Sequence, residues 1–148
     1  MHASQMAEEF PVVTVDSDAL EAVQLLADRR LPGIVVTDET GCPCSILPAS
    51  QVVRFLVPRY VQDDPSLAGV LSESMADRIA DKLAGKTVKT LLPDDKTEVP
   101  TVQADDTIVE VAATMARLRC PLAAVVAGRD LVGVITASRL LELALAPR

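Results

Sequence analysis

The hydrophobic pattern of the chain runs through one set of elements and then repeats it. In the first set, β-branched residues 12–15 read as a short strand. Asp18 and Glu21 then have the spacing of a capping box, in which side chains satisfy the free amides at a helix start. Leu20, Val23, Leu26 and Ala27 follow on one face at helical spacing. The helix ends before Pro32, because the residue ahead of a proline is pushed out of the helical region. Residues 34–37 and 44–47 read as strands on either side of the turn Asp38-Glu39-Thr40-Gly41, and a last helix begins near Ala49-Ser50.

The second set matches it element by element. Residues 99–102 form the strand, Thr107 and Glu110 the capping box, and Val109, Ala112, Met115 and Ala116 the apolar helical face. Pro121 marks the helix end, 123–126 and 131–135 are the strands around Gly128-Arg129-Asp130, and Ala137-Ser138 opens the last helix. Pro32 and Pro121 set the offset at 89 residues. The order in each set is β-α-β-β-α. Each unit alone has too little core to stand by itself, so the two are expected to pack as a pseudo-twofold pair, sheets inside and helices outside. Strand 34–37 and strand 123–126 should be the most buried parts of their repeats. The fold class is therefore α/β with α+β character.

A different pattern separates the repeats. Asp64-Pro65 looks like a helix start, and Leu67, Val70, Leu71, Met75, Ile79 and Leu83 recur at three- and four-residue spacing. This predicts one linking helix over 67–83, ended by Gly85. The expected organisation is repeat one over 1–62, the linking helix over 63–86 and repeat two over 87–148.

Composition narrows the chemistry. Of 148 residues, 49% are apolar but only 2% aromatic, so the core is aliphatic and a base-stacking surface lacks raw material. Fourteen basic against 21 acidic residues give a net charge of −7, which opposes binding to nucleic-acid backbones and anionic lipid. No apolar run reaches the length that spans a bilayer. The N-terminal segment carries two glutamates and no apolar centre, unlike a secretory signal, and the expectation is a cytoplasmic protein without membrane insertion. The one histidine, His2, stands in a segment expected to be mobile, so triads and histidine metal sites have no base or ligand to build on. Cys42, Cys44 and Cys120 fit neither a disulfide framework nor a C-x-x-C redox pair, and free thiols favour a reducing compartment. The paired acids Asp94-Asp95 and Asp105-Asp106 sit at loops or helix starts, where carboxylates cap amides. The residues thus point to no catalytic constellation and no metal site.

The doubled pattern resembles a tandem pair of CBS domains, the cystathionine β-synthase type of regulatory module, over residues 11–56 and 99–145. Its most specific piece is Leu131-Val132-Gly133-Val134-Ile135-Thr136 running into a helix. This is similar to the family's second hairpin strand, read as glycine, two aliphatics, Thr or Ser, two variable residues, then Asp. The resemblance implies two clefts between the domains, each able to hold an adenine-bearing ligand, with the motif hydroxyl on phosphate and the motif Asp on the ribose. Candidate ligands are AMP, ADP, ATP and S-adenosylmethionine. It also implies a homodimer formed through helices, with an effector protein or a transporter as the regulated partner.

Both repeats depart from that motif. Arg139 stands where the acid is expected in repeat two, while Pro48 and Gln51 replace the hydroxyl and the acid in repeat one. Guanidinium only donates, so Arg139 could meet phosphate beside Thr136 and Ser138 but cannot accept a hydrogen bond from a ribose hydroxyl, as the motif acid does. The ligand-binding set expected from the sequence is Thr136, Ser138 and Arg139, closed by the opposite strand at Thr101 and Val102. The cleft at Pro48–Gln51 should be empty or weak. Two functions stay open: a ligand-responsive regulatory module, and a homodimeric assembly module that has lost its nucleotide.

Overall fold

The structure is a computed structural model that describes residues 1–70, 78–93 and 99–147. Its elements, in chain order, begin with α1 (Ala3–Met6), β1 (Val12–Thr14), α2 (Ala19–Asp28), β2 (Gly33–Thr37), β3 (Pro43–Pro48), α3 (Ala49–Leu56) and α4 (Arg59–Asp63). A 3-10 turn at Pro65–Val70 leads towards α5 (Ile79–Leu83) and α6 (Val88–Leu91). Then come β4 (Thr101–Gln103), α7 (Ile108–Leu118), β5 (Leu122–Ala127), β6 (Asp130–Thr136) and α8 (Ala137–Ala144).

The two repeats build the same three-stranded sheet. β1 pairs parallel to β2 and β2 antiparallel to β3; β4, β5 and β6 repeat this. Even the irregularities coincide, with a register shift at Val36/Thr37 and another at Val125/Val126, 89 residues on. Both central strands are buried on both faces, which explains their unbroken aliphatic runs. Ile34 and Val36 face the helices of repeat one, while Val35 and Ile46 meet Leu122, Ala124 and Val134 in a layer between the sheets. Ala123 and Val125 face the helices of repeat two. The order of layers is helix, sheet, sheet, helix, as the sequence pattern predicts.

The helix starts read from sequence are those observed. The Asp18 carboxylate accepts from the Glu21 amide at 3.1 Å, and Thr107 with Glu110 closes a full capping box. Each of these helices is followed within two residues by a non-glycine residue at positive φ, Arg30 at φ 51° and Arg119 at φ 50°. The amides of Leu31 and Cys120 reach back to the carbonyls of Leu26 and Met115, satisfying the exposed ends.

Two expectations are corrected. The segment around His2 is not loose: Ala3 and Met6 are fully buried in the core of repeat two, and His2 Nδ1 lies 2.8 Å from the Asp105 carbonyl. The single linking helix is not continuous, because Pro65–Val70 is a 3-10 turn and α5 starts only after a turn at Arg78. Leu71 and Met75 of that pattern lie outside the described residues, as do Asp94 and Asp95. Gly85 does follow the helix, at φ 74°.

The short helices are exchanged between repeats. α1 precedes repeat one but packs on repeat two, where the amides of Ala3 and Ser4 donate to the carbonyls of Asp106 and Ala104. α6 precedes repeat two but packs on repeat one, where the amides of Val88 and Lys89 donate to Ser17 and Val15. The acceptor pairs are again 89 residues apart. No helix among the described residues is long and apolar enough to cross a membrane.

Candidate functional site

Two clefts lie where the repeats face one another, and each combines the start of a last helix from one repeat with the helix-to-strand turn of the other. The first, about 560 Å³, takes Thr136 and Ser138 from the start of α8 and Arg29, Arg30, Leu31 and Pro32 from the turn after α2. Glu8, Glu9 and Phe10 complete its wall. The second, about 280 Å³, sets Pro48, Ser50 and Gln51 against Leu118, Arg119, Cys120 and Pro121, with Val99 and Pro100 in the place of Phe10 and its neighbour.

Local hydrogen bonds fix the helix starts. The Ala137 amide donates to the Pro121 carbonyl at 2.8 Å and, correspondingly, that of Ala49 to Pro32 at 3.0 Å. The buried Thr136 hydroxyl caps α8 by accepting from the Arg139 amide at 3.1 Å. Pro48 starts α3 with no side-chain cap. The Thr136 oxygen therefore has an ordinary structural role, in a residue that also lines the first cleft.

Of the residues expected from sequence, the structure brings Thr136 and Ser138 together in this cleft. It does not bring Arg139 there. Its guanidinium lies along α8, with Nη1 2.9 Å from Glu142 Oε1 and a buried Nε without a partner. Nor do Thr101 and Val102 form the wall: Val102 is buried under α7 in the core of repeat two, and the Thr101 hydroxyl is exposed and donates to the Val99 carbonyl at 3.3 Å. The wall comes instead from Phe10 and the Arg29–Pro32 turn. Gln51 is likewise engaged elsewhere, its Nε2 donating to the Leu91 carbonyl at 3.3 Å. Both positions where the motif has its acid thus serve internal contacts.

Sequence reading missed Arg29 and Arg30. Both are exposed, and neither guanidinium has an ion-pair or hydrogen-bond partner among the described residues. Two bare guanidiniums beside two hydroxyls favour an oxyanion. Glu8 and Glu9 oppose them on the same wall, so the cleft is bipolar rather than purely cationic. The signal was present: Arg30 and Arg119 occupy equivalent places two residues ahead of the paired prolines. In the second cleft, burial raises the Cys120 thiol above its ordinary pKa, which disfavours the thiolate.

The CBS domain family model matches residues 3–58 and 88–146. The chain belongs to the CBS domain family. This membership rests on both repeats, and the two matched stretches include the exchanged helices. A solved CBS domain-containing protein of unknown function from Kribbella flavida is 68% identical, with a TM-score of 0.87 over 99% of each chain. The CBS domain of a membrane protein from Sphaerobacter thermophilus shares the fold at 18% identity, TM-score 0.69, covering 99% of this chain and 90% of that one. CBSX2, solved in complex with AMP, shares it at 15% identity and TM-score 0.68, covering 97% and 96%. No curated protein matches the chain.

Proposed function

We propose that this CBS pair is a regulatory module that takes up an adenine nucleotide or related phosphorylated metabolite in the first cleft and passes the resulting shift between repeats to a partner. The observation that carries the reading is the meeting of Thr136 and Ser138 with Arg29 and Arg30 across one cleft. The arginines come from repeat one and the hydroxyls from repeat two, so a phosphate held between them would favour one relative placement of the repeats. The half-buried Phe10 and Pro32 offer an apolar edge for a base. In this reading Arg29 and Arg30 take the phosphate role first given to Arg139. AMP bound to CBSX2 is that protein's ligand, and it makes AMP the first nucleotide to test here, with ADP, ATP and S-adenosylmethionine beside it.

The module is read as non-catalytic, since the cleft lining pairs its hydroxyl residues with no imidazole, and the one imidazole is engaged with the Asp105 carbonyl. It is read as a cytoplasmic homodimer acting on an effector protein or transporter. Three free cysteines suit a reducing compartment. Val53 on α3 and Leu141 on α8, at corresponding positions, are each 58% exposed and offer a helical contact for a second copy.

Calorimetric titration of the four ligands tests the reading. Binding should weaken by about tenfold or more in Arg29→Gln/Arg30→Gln, the scale of lost charge-assisted hydrogen bonds. Absence of binding at millimolar concentration, with a dimer retained in sedimentation, would favour the assembly-module alternative, to which the internal engagement of Gln51 and Arg139 already lends support.

A further inference from the structure

A larger cavity, about 620 Å³, adjoins the second cleft, with which it shares Gln51 and Pro93, and opens on the flank of repeat one. It is bounded by the last turn of α3, the start of α4 and the end of α6. Its charged groups are Arg54 and Arg59, with Asp63 beside them. Neither guanidinium has an ion-pair or side-chain hydrogen-bond partner among the described residues, although acids outnumber bases in this chain by 21 to 14. Phe55, Val57 and Leu92 form a half-buried apolar wall.

The frame that holds this cavity is fixed by side chains whose donors are already engaged. Gln62 Nε2 donates to the Arg54 carbonyl at 2.9 Å and to the Val57 carbonyl at 2.8 Å, which locks the turn from α3 into α4. Gln51 joins α3 to α6. Pro58 and Pro93 stiffen two corners of the rim. The backbone that carries the two exposed arginines is thereby fixed beside one concave, partly apolar surface. Guanidinium is weakly hydrated and its fork of donors matches carboxylate and phosphate oxygens. A pocket of this size is in the ordinary range for small molecules.

We propose that this cavity binds a small organic oxyanion. Its head, a carboxylate or a phosphate monoester, would lie between Arg54 and Arg59, with a compact apolar body against Phe55 and Leu92. Such a ligand would touch α3, α4 and α6 together and so brace the exchanged helix α6 on repeat one.

The test uses the full chain and three probes: phenyl phosphate, 3-phenylpropionate and inorganic phosphate, titrated calorimetrically. An aryl oxyanion should bind saturably and at least about tenfold more tightly than inorganic phosphate, and the tighter of the two aryl probes names the head group. Arg54→Gln and Arg59→Gln should each weaken it about tenfold, whereas Arg129→Gln, in the remote β5–β6 turn, should leave it unchanged. In the unaltered chain, the tighter aryl anion should also slow phenylglyoxal modification of Arg54 and Arg59, read by mass spectrometry. No aryl binding at about 5 mM overturns the proposal, as does affinity unchanged in both arginine variants or equally reduced in Arg129→Gln. Equal affinity for inorganic phosphate overturns the apolar-body assignment. Lack of phenylglyoxal protection overturns the site itself, whatever the variants do.

Discussion

Asp38 and Arg119 show how single residues set the two tight reversals of a repeat. Asp38 Oδ1 accepts from the Thr40 hydroxyl at 2.6 Å, the Thr40 amide at 2.9 Å and the Cys42 amide at 3.1 Å. The Thr40 hydroxyl first, and then the Cys42 amide, hold the carboxyl below its ordinary pKa. A depressed folded-state pKa stabilises at pH above the unfolded carboxylate value and ceases to do so as pH falls through the folded one. Asp38→Asn should therefore destabilise at neutral pH and converge with wild type in acid, as followed by chemical denaturation across pH. Arg119 raises the opposite case, an L-residue in the left-handed region at φ 50°. Arg119→Gly should raise stability by up to about 1 kcal/mol, since relief of side-chain strain outweighs the entropy glycine adds to the unfolded chain. A rise in melting temperature checks it, and a fall would show that the arginine side chain contributes more than its backbone costs.

At the scale of elements, α1 and the extended residues after it govern repeat two. Glu8 exchanges two hydrogen bonds with Val134, at 2.8 and 2.9 Å, and so lies along the free edge of β6. Gly133 permits this approach, for a Cβ there would stand 2.8 Å from the Glu8 carbonyl oxygen. Gly133→Ala should cost about 1–3 kcal/mol, in the manner of overpacking, and Met6→Ala about 2–5 kcal/mol through the cavity left in the core. In the double variant the two losses should fall short of their sum, because once the segment is displaced Met6 has no packing left to lose. Urea denaturation of the four proteins measures this. The strands, the capped helices and their order were legible because each has a strong local cause: a doubly buried aliphatic run, a capping pair or a proline stop. Helix α1 was not legible, as four residues show no periodicity and its stability comes from burial of Ala3 and Met6 in a partner far along the sequence. The continuous helix over 67–83 failed for a related reason: apolar spacing fits a helix, yet Pro65–Val70 takes the tighter 3-10 turn. At the candidate site, the motif singled out Thr136 and Ser138, which line the first cleft. Arg29 and Arg30 became visible only once the repeats were set face to face.

Over the whole molecule, the layer between the sheets joins the two repeats through one buried cluster. Leu122 is fully buried in it, and even the Cβ that Gly33 lacks would stand 2.9 Å from Leu122 Cδ2. Leu122→Ala should destabilise by about 2–5 kcal/mol. Probes placed in either repeat should still report one coincident unfolding transition; two separated transitions would mean that the layer does not couple the halves. The exchange of α1 and α6 has a consequence for how such a molecule could arise. A chain bearing one short helix and one repeat could complete its core only by docking that helix on a second copy, and its folding would then depend on how many copies were present. With two such units in tandem, each helix finds its seat within the same chain, and this part of the stability no longer varies with protein concentration.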